Sequence, residues 1–274
     1  MNAAILTFHA VHRGDCYAEN DHTAFEDALR ELNEQGIPVR PLHELVSALT
    51  NPIARWLMPA RFVALTCDDG ELGEVETLPA TDGKPSVAFS ELQRKYASAQ
   101  KNARGGGAHL TSFVIASESA RSQIRPNGDL TNRWWHDVAQ SNLGAIENHG
   151  WDHCHPDVLE IMQRTQTKGT FTGVDTYDDA DCQIRRAARL IDESIAPQRT
   201  SLFAYPYGDT NDYLLREYFP GFRCEHRMKA AFTCEPAPVN TTSNRWALPR
   251  YVCGLHWKSN EEFRALLKDA GIRC

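Results

Sequence analysis

The sequence has no surplus of positive charge. Its 274 residues contain 29 Lys and Arg against 36 Asp and Glu, which gives a formal net charge of -7 at pH 7. No dense stripe of Lys or Arg offsets this balance locally. Because proteins that bind a phosphate backbone present a basic surface, the composition argues against a nucleic-acid partner.

Long hydrophobic runs are also absent. No stretch reaches the roughly 20 apolar residues that a membrane-spanning helix needs. The apolar segment at 3–8 has no basic residue before it and ends at once at His9. The sequence therefore predicts neither a membrane span nor a secretion signal, and we expect a cytoplasmic protein.

None of the eight cysteines belongs to a Cys-x-x-Cys pair. Disulfides are rare in proteins that are not exported, so we expect mostly reduced thiols. Most of these side chains should simply pack as small apolar groups.

Strand and helix patterns alternate along the chain, which is long enough to bury a core. This alternation favours an α/β barrel-like fold in one domain over 1–274, with the segment 71–107 inserted between two strands. The predicted strands are 3–8, 37–39, 62–67, 110–116, 143–147, 201–205, 230–232 and 248–253, and the predicted helices are 24–34, 42–49, 87–102, one around 134–139, 180–194, 211–218 and 261–269.

Polar residues follow four of the predicted strands. If the strands are parallel neighbours, their carboxyl ends converge on one face of the barrel. Each cluster also has an ordinary explanation, because paired histidines are often structural and Asp-Gly is a common turn. The clusters are His9, Asp68 with Asp69, His149 with His153, and Tyr205-Pro206-Tyr207-Gly208.

Together these clusters contain the groups needed for metal-assisted hydrolysis of an amide or ester. His149 and His153 are four residues apart, so both imidazoles can reach one ion, and an aspartate would complete an open three-ligand site. A second, adjacent carboxylate can act as general base. A backbone N–H at the bend after a proline can stabilise an oxyanion, and a further histidine can protonate a leaving amine.

Three segments resemble motifs of the polysaccharide deacetylase family, the NodB-homology group of carbohydrate esterases. LTCDDG at 65–70 resembles the family's T-F-D-D-G motif, with Cys in place of Phe. HGWDH at 149–153 resembles its H-[ST]-x-x-H motif, with Gly in place of the hydroxyl residue. FAYPYG at 203–208 resembles its R-x-P-Y motif, and 110–115 resembles the strand expected between the first two motifs.

The resemblance implies a distorted (β/α)7 barrel, a carbohydrate substrate and a bound divalent metal. It implies that Asp69, His149 and His153 bind this metal, commonly zinc, although such a ligand set also accepts Co, Ni, Mn or Fe. It further implies that Asp68 is the general base and that the backbone N–H of Tyr207 forms the oxyanion hole.

The chain departs from the family pattern in the third motif, where the usual arginine is replaced by Ala204. That arginine normally holds the catalytic aspartate. Arg250, in a neighbouring predicted strand, is a candidate to supply the same charge. A surface salt bridge is an equally good interpretation of Arg250 from the sequence.

A second departure concerns the general acid. The family's late L-x-H motif has no good copy here, because Leu255-His256 is one residue out of spacing. The segment Leu6-Thr7-Phe8-His9 instead resembles the first strand of circularly shifted relatives, in which this histidine is the acid. We therefore favour His9 over His256, with a core histidine as the alternative for His9.

Further residues near the motifs allow more than one interpretation. The segment 71–107 either shapes the substrate cleft or is a disordered addition. Trp151 and Trp257 can form a wall that stacks on sugars, although core packing is the more common role for a tryptophan. We expect Cys154 and His155, next to the predicted ligands, to be bystanders.

The leading hypothesis is a metal-dependent hydrolase that removes an N-acetyl or similar acyl group from an amino sugar. The substrate would be a saccharide or a precursor in surface-polysaccharide biosynthesis. One alternative is a non-catalytic carbohydrate-binding relative. The other is a hydrolase of a non-sugar amide, as in the allantoinase-like branch of the same family.

Overall fold

Seven strands form one sheet in the computed structural model, which describes residues 1–79, 85–97 and 107–273. All pairings between neighbouring strands are parallel. The strands are β1 (Asn2–Phe8), β2 (Arg61–Cys67), β3 (Leu110–Val114), β4 (Gly144–Asn148), β5 (Leu202–Ala204), β6 (Ala230–Phe232) and β7 (Tyr251–Val252).

The sheet has the order β6-β5-β4-β3-β2-β1-β7 and curls into a distorted (β/α)7 barrel, which confirms the predicted fold class. The distortion lies between the two outer strands of this order. There Phe232 of β6 makes a single parallel bridge to Leu248, three residues before β7 begins. The segment 248–250 therefore runs across the weakly paired side of the barrel.

Helices occupy the connections between consecutive strands from β1 to β6, and a further helix follows β7. No helix in the described ranges is both long enough and apolar enough to cross a membrane. The helices are α1 (Asp21–Glu34), α2 (Leu42–Thr50), α3 (Pro52–Leu57), α4 (Phe89–Ala97), α5 (Glu118–Ile124), α6 (Trp135–Ala139), α7 (Tyr177–Ala180), α8 (Ala187–Ile195), α9 (Phe219–Gly221), α10 (Arg223–His226) and α11 (Asn260–Asp269), with π-helical turns at Asp181–Arg186 and Leu214–Tyr218 and 3₁₀ turns at Tyr17–Glu19, Leu72–Glu74 and Pro206–Gly208.

The alternation of side chains along β2 divides the core into two parts. Phe62 and Ala64 are fully buried and pack with side chains of β1, β3, β5 and β6 inside the barrel. Val63 and Leu65 point the other way and pack with Phe25 of α1 under the outer helices. A strand buried on both faces is typical of a parallel sheet enclosed by helices.

The described part of the 71–107 segment packs against this same core. Helix α4 lies against α1, and the ring of Phe89 stacks on that of Phe25 with 4.4 Å between centroids. The predicted helix 87–102 is observed as Phe89–Ala97, and its last residues lie outside the described part of the chain, as do glycines 105 and 106. The interpretation as a disordered addition is wrong for the described residues.

Two predicted strands are largely missing from the structure. The strand at 37–39 is wrong, because only Val39 makes one bridge, to Val63. Pro38 has no N–H to donate to a ladder, which limits pairing there. The strand predicted at 248–253 is reduced to the two residues of β7, with isolated bridges at Leu248 and Cys253.

Candidate active site

A cavity of about 330 Å³ opens at the carboxyl ends of the strands. It contains every side chain of the predicted metal set. Its apolar walls come from the ends of β3 and β7, the last turn of α5 and nearby loops. The lining residues are His9, Asp68, Asp69, Glu71, Ile115, Ile124, Arg125, Leu130, His149, His153, His155, Tyr207, Gly208, Cys234, Val252 and Leu255.

A tight turn after β2 brings Asp68 and Asp69 into this cavity. Asp69 has a φ of 76° and Gly70 a φ of 86°, so the backbone turns through two left-handed residues. A Cβ on Gly70 would lie 2.8 Å from Cγ1 of Val114, which makes glycine necessary at this position. The N–H of Ile115 donates to the carbonyl oxygen of Asp69 and ties the turn to the chain after β3.

His149 and His153 meet Asp69 in the cavity. The Nε2 atoms of both histidines lie 3.6 Å from Oδ1 of Asp69, and the two rings have centroids 4.8 Å apart. Ligands on a tetrahedral ion with bonds of about 2.0–2.1 Å are separated by roughly 3.3 Å. The observed spacing is therefore close to that of a shared metal site, and both imidazoles are buried.

Protonation states also suit a divalent ion. The Nδ1 of His149 faces the carbonyl oxygen of Ala204 at 2.9 Å, which favours the tautomer with a lone pair on Nε2. Burial lowers the pKa of His153 to about 3 and keeps the imidazole neutral. Burial alone would raise the pKa of Asp69, but the attraction of the neighbouring imidazoles in their protonated form outweighs burial, so the pKa of this carboxyl is lowered. The three side chains fit a divalent metal as they stand.

The loop that carries the two histidines is held by buried polar groups that the sequence did not single out. Asp152 accepts hydrogen bonds from the N–H of Cys154 at 2.9 Å and from Nε2 of Gln183 at 2.8 Å. Gln183 in turn accepts from the N–H of Trp151. These bonds fix a turn in which His153 adopts a φ of 61°.

Asp68 is paired with Arg250. Nη1 and Nη2 of the guanidinium donate to the two carboxylate oxygens at 2.7 and 2.8 Å, and Nε donates to the carbonyl oxygen of Thr233. Arg250 is fully buried, so the interpretation as a surface salt bridge is wrong. Burial alone would raise the pKa of Asp68, but the charge of Arg250 outweighs it and holds the pKa well below its ordinary value.

The structure separates the two candidate acids. His9 lines the cavity, and its Nδ1 is buried without a hydrogen-bond partner among the described residues. His256 is not part of the lining, and its Nδ1 accepts a hydrogen bond from the N–H of Val252 at 2.8 Å. Of the pair, therefore, His9 shares the cavity with Asp68 and the predicted metal ligands, and His256 does not.

The turn after β5 places Tyr207 and Gly208 at the cavity. Tyr207 has left-handed dihedral angles (φ 61°, ψ 2°), and its ring lies 4.5 Å from that of His153. A Cβ on Gly208 would lie 2.6 Å from Cβ of Cys234 and 2.7 Å from the backbone nitrogen of that residue. The turn is thus packed tightly against the segment after β6.

Sequence reasoning missed one charged pair in the cavity. Oε1 of Glu71 accepts from Nε of Arg125 at 2.9 Å, and burial raises the pKa of Glu71 to about 7. Its position directly after Asp-Asp-Gly was the available signal. Because Glu71 lines the cavity, the beginning of the 71–107 segment forms part of the cleft.

The proposed sugar-stacking wall is not formed. Trp257 is fully buried and packs edge-on against Phe8, so that assignment is wrong and core packing is correct. Trp151 is outside the cavity lining and packs under Arg186. Cys154 is a buried core residue, whereas His155 does line the cavity.

The profile of the polysaccharide deacetylase family matches residues 58–218, which is more than half of the chain. The chain therefore belongs to the polysaccharide deacetylase family. No curated protein matches it.

Several solved structures share the fold. The Streptococcus pyogenes deacetylase PplD in complex with acetate aligns with a TM-score of 0.66 and 19% identity, over 97% of this chain and 98% of that one. A de-N-acetylase from Aggregatibacter actinomycetemcomitans aligns with a TM-score of 0.65 and 12% identity, over 97% and 100%. IcaB from Ammonifex degensii aligns with a TM-score of 0.62 and 18% identity, over 97% and 96%. At these identities the likeness shows the fold.

Proposed function

We propose that this protein is a metal-dependent deacetylase that hydrolyses the N-acetyl, or a similar acyl, group of an amino sugar. The observation that carries the proposal is the approach of His149 and His153 to Asp69, with Asp68 beside them in a buried ion pair. Metal ligands alone would suit a binding site. The adjacent ionised carboxylate adds a base, which hydrolysis requires and binding does not.

Asp69, His149 and His153 would hold the ion, for which we propose zinc. When bound, such an ion polarises the acyl carbonyl and makes a water molecule more acidic. Asp68 accepts the proton of the attacking water, and Arg250 keeps this carboxylate ionised and oriented.

In the same cavity, at the end of the neighbouring strand β1, His9 donates a proton to the leaving amine. The backbone N–H of Tyr207 donates to the developing oxyanion.

The relatives support a proposal for the substrate class. The Streptococcus pyogenes deacetylase PplD was solved in complex with acetate, the small product expected of deacetylation, and this supports an acetyl group here. The fold-sharing proteins include the deacetylase domain of BpsB from Bordetella bronchiseptica. We therefore propose an N-acetylated saccharide, or a precursor, from surface-polysaccharide biosynthesis.

The non-catalytic alternative loses its main motivation. It rested on Ala204 in place of the family's arginine and on the missing late histidine motif. Arg250 supplies the first charge, since its guanidinium contacts both oxygens of Asp68. His9 lies in the cavity where an acid is needed.

The test is hydrolysis by protein depleted of metal and then reloaded. Protein treated with a chelator should release no acetate from N-acetylglucosamine oligomers, and Zn²⁺ or Co²⁺ should restore release of acetate with an equal amount of free amine. A parallel assay with small ureides tests the non-sugar amide alternative. Protein that holds one equivalent of metal and hydrolyses no N-acyl amino sugar would refute the proposal.

Two variants distinguish the base from the ligand. Asp68→Asn should keep the metal but lose about 10²–10⁴-fold in kcat. Asp69→Asn should lose the metal itself. Asp137→Asn, at a carboxylate whose side chain is 90% exposed, is the matched control and should change neither.

A further inference from the structure

A second group of metal-type ligands lies beside the first. His9, His12 and Asp21 each offer one donor atom, and these atoms all lie within 4.8 Å of one another. The residues come from the end of β1, the turn that follows it and the first residue of α1. None of them belongs to the Asp69 group, and only His9 has a place in the proposed reaction.

The local backbone brings the two histidines together. The N–H of His12 donates to the carbonyl oxygen of His9 at 3.0 Å, which closes a turn, and the two rings have centroids 5.2 Å apart. Nδ1 of His12 lies 3.2 Å from Oδ1 of Asp21. These two atoms share a hydrogen bond, and their spacing is close to the roughly 3.3 Å that separates two ligands of a tetrahedral zinc ion.

One buried ring nitrogen in this cluster has no partner among the described residues, and one buried carboxylate depends on a half-exposed histidine to balance its charge. The Asp21 side chain is fully buried, and among the described residues its one ion-pair partner is His12. Nδ1 of His9 is buried and has no hydrogen-bond partner in the described chain. A divalent cation would satisfy both the carboxylate charge and the unpaired ring nitrogen.

We propose that His9, His12 and Asp21 form a second, weaker site for a divalent cation that prefers imidazole, such as Zn²⁺ or Co²⁺. Two features make it weaker than the Asp69 site. The His12 side chain is 47% exposed, so it loses freedom when it coordinates. The other oxygen of Asp21 already accepts the N–H of His9 at 2.6 Å.

Occupancy of this second site inhibits the enzyme, an effect that rests on the proposed function of His9. A histidine acts as an acid only when both ring nitrogens carry a proton. An imidazole that coordinates a metal through one nitrogen cannot hold that second proton. Excess metal would therefore remove the group that protonates the leaving amine.

The test is the stoichiometry of metal binding to the metal-free protein. Calorimetric titration with Zn²⁺ should show two binding events in the wild type, and Co²⁺ absorption should show the same two. His12→Gln should keep the first event and weaken the second by at least about tenfold, as expected when a ligand is removed. Asp69→Asn should weaken the first event and keep the second.

Matched controls distinguish metal binding at this cluster from nonspecific binding of metal to other histidines. His155→Gln changes a histidine that lines the same cavity, and His136→Gln changes an exposed one; both variants should retain two events. One event in the wild type, equal second events in the wild type and His12→Gln, or loss of the second event in His136→Gln would each overturn the site. Thermal unfolding of His12→Gln should match the wild type within a few degrees, because the replaced side chain is half exposed.

Activity provides the second measurement. Wild-type hydrolysis should rise with the first equivalent of Zn²⁺ and fall several-fold in excess, and His12→Gln should remove the fall. A wild-type fall that persists in His12→Gln would refute the inhibitory role. If no hydrolysis is found, the proposed function fails, while the stoichiometry still decides the second site.

Discussion

Arg250 and Asp68 form a bidentate ion pair inside the barrel although 182 positions separate them in the chain. The guanidinium also lies over the ring of Phe113, with 5.5 Å from its carbon to the centroid. The arginine reaches the site from the segment that crosses between β6 and β7. The irregular side of the barrel thus supplies the charge that the third motif lacks.

Replacement of Arg250 by Gln should weaken both the base and the fold. The guanidinium lowers the pKa of Asp68, so its removal raises that pKa, and the acidic limb of the kcat/KM profile should move to higher pH. We expect kcat to fall about 10²-fold at neutral pH. The variant should also lose about 3–5 kcal/mol of unfolding free energy, because a buried carboxylate is left without its partner.

A second substitution tests whether the ion pair causes these effects. Adding Asp68→Asn to Arg250→Gln removes the unpaired charge and should recover a large part of the lost stability. Arg250→Lys keeps the charge without the two-bond geometry and should show a smaller shift of the acidic limb. An unchanged acidic limb in Arg250→Gln would contradict this role for the arginine.

His9 and His256 should differ sharply in their effect on catalysis. His9→Gln removes the proposed acid and should lower kcat about 10²–10⁴-fold, with the greatest loss for substrates whose amine is the poorest leaving group. Metal content measured with one equivalent of Zn²⁺ should stay unchanged.

His256→Gln is the matched control, since both histidines follow strands at the same end of the barrel. It removes the acceptor for the N–H of Val252, so a small loss of stability is expected while kcat stays near the wild-type value. Equal losses of kcat in the two variants would contradict the assignment of His9 as the general acid.

The parts of the site that follow strand ends were predictable from the sequence. Asp69, His149 and His153 each follow a strand that can be recognised from the nearby sequence. The carboxyl ends of parallel strands lie at one face of the barrel, so these residues were expected to meet there. The pairing of Arg250 with Asp68 was left open, because it depends on how the chain crosses between β6 and β7. The burial of Trp257 depends in the same way on long-range packing.

Glu74 should make the fold less stable as the pH rises. Burial raises its pKa to about 8 from an ordinary value of 4.5, and the hydroxyl of Ser112 is its hydrogen-bond partner. The folded protein therefore keeps a proton that the unfolded chain releases, so stability is lost between about pH 4.5 and 8. Glu74→Gln should reduce this loss by about 2–3 kcal/mol between pH 6 and pH 9, because roughly two pH units separate pH 6 from the raised pKa, and unfolding at the two pH values measures it.

Glu76→Gln is the control for this effect, because Glu76 is exposed in the same segment. Its pH dependence should equal that of the wild type. Glu147 is a second buried acid with its pKa raised to about 8, so the wild-type slope should shrink further in the double variant of Glu74 and Glu147. A slope for Glu74→Gln that equals the wild type would contradict the prediction.

The turn at Tyr207 and Gly208 should act through its backbone. Tyr207→Phe should leave kcat unchanged, because the proposed donor to the oxyanion is the main-chain N–H. Gly208→Ala should lower kcat about 10²-fold, since the new Cβ would collide with the backbone of Cys234 and displace that donor. Steady-state kinetics with one N-acetylated oligomer measure both changes.

Gly36→Ala is the control for Gly208→Ala. It carries the conformational cost of alanine at positive φ without the collision that displaces the backbone N–H of Tyr207. Gly36 has a φ of 63°, close to the 72° of Gly208, but nothing lies within 4 Å of a Cβ added there. It should lose about 1–2 kcal/mol of stability with normal kcat. Gly208→Ala should lose more stability because the collision adds to the same backbone strain. A Gly208→Ala protein with the stability of Gly36→Ala and full activity would show that the turn tolerates movement, and the oxyanion donor would then have to come from another part of the cavity.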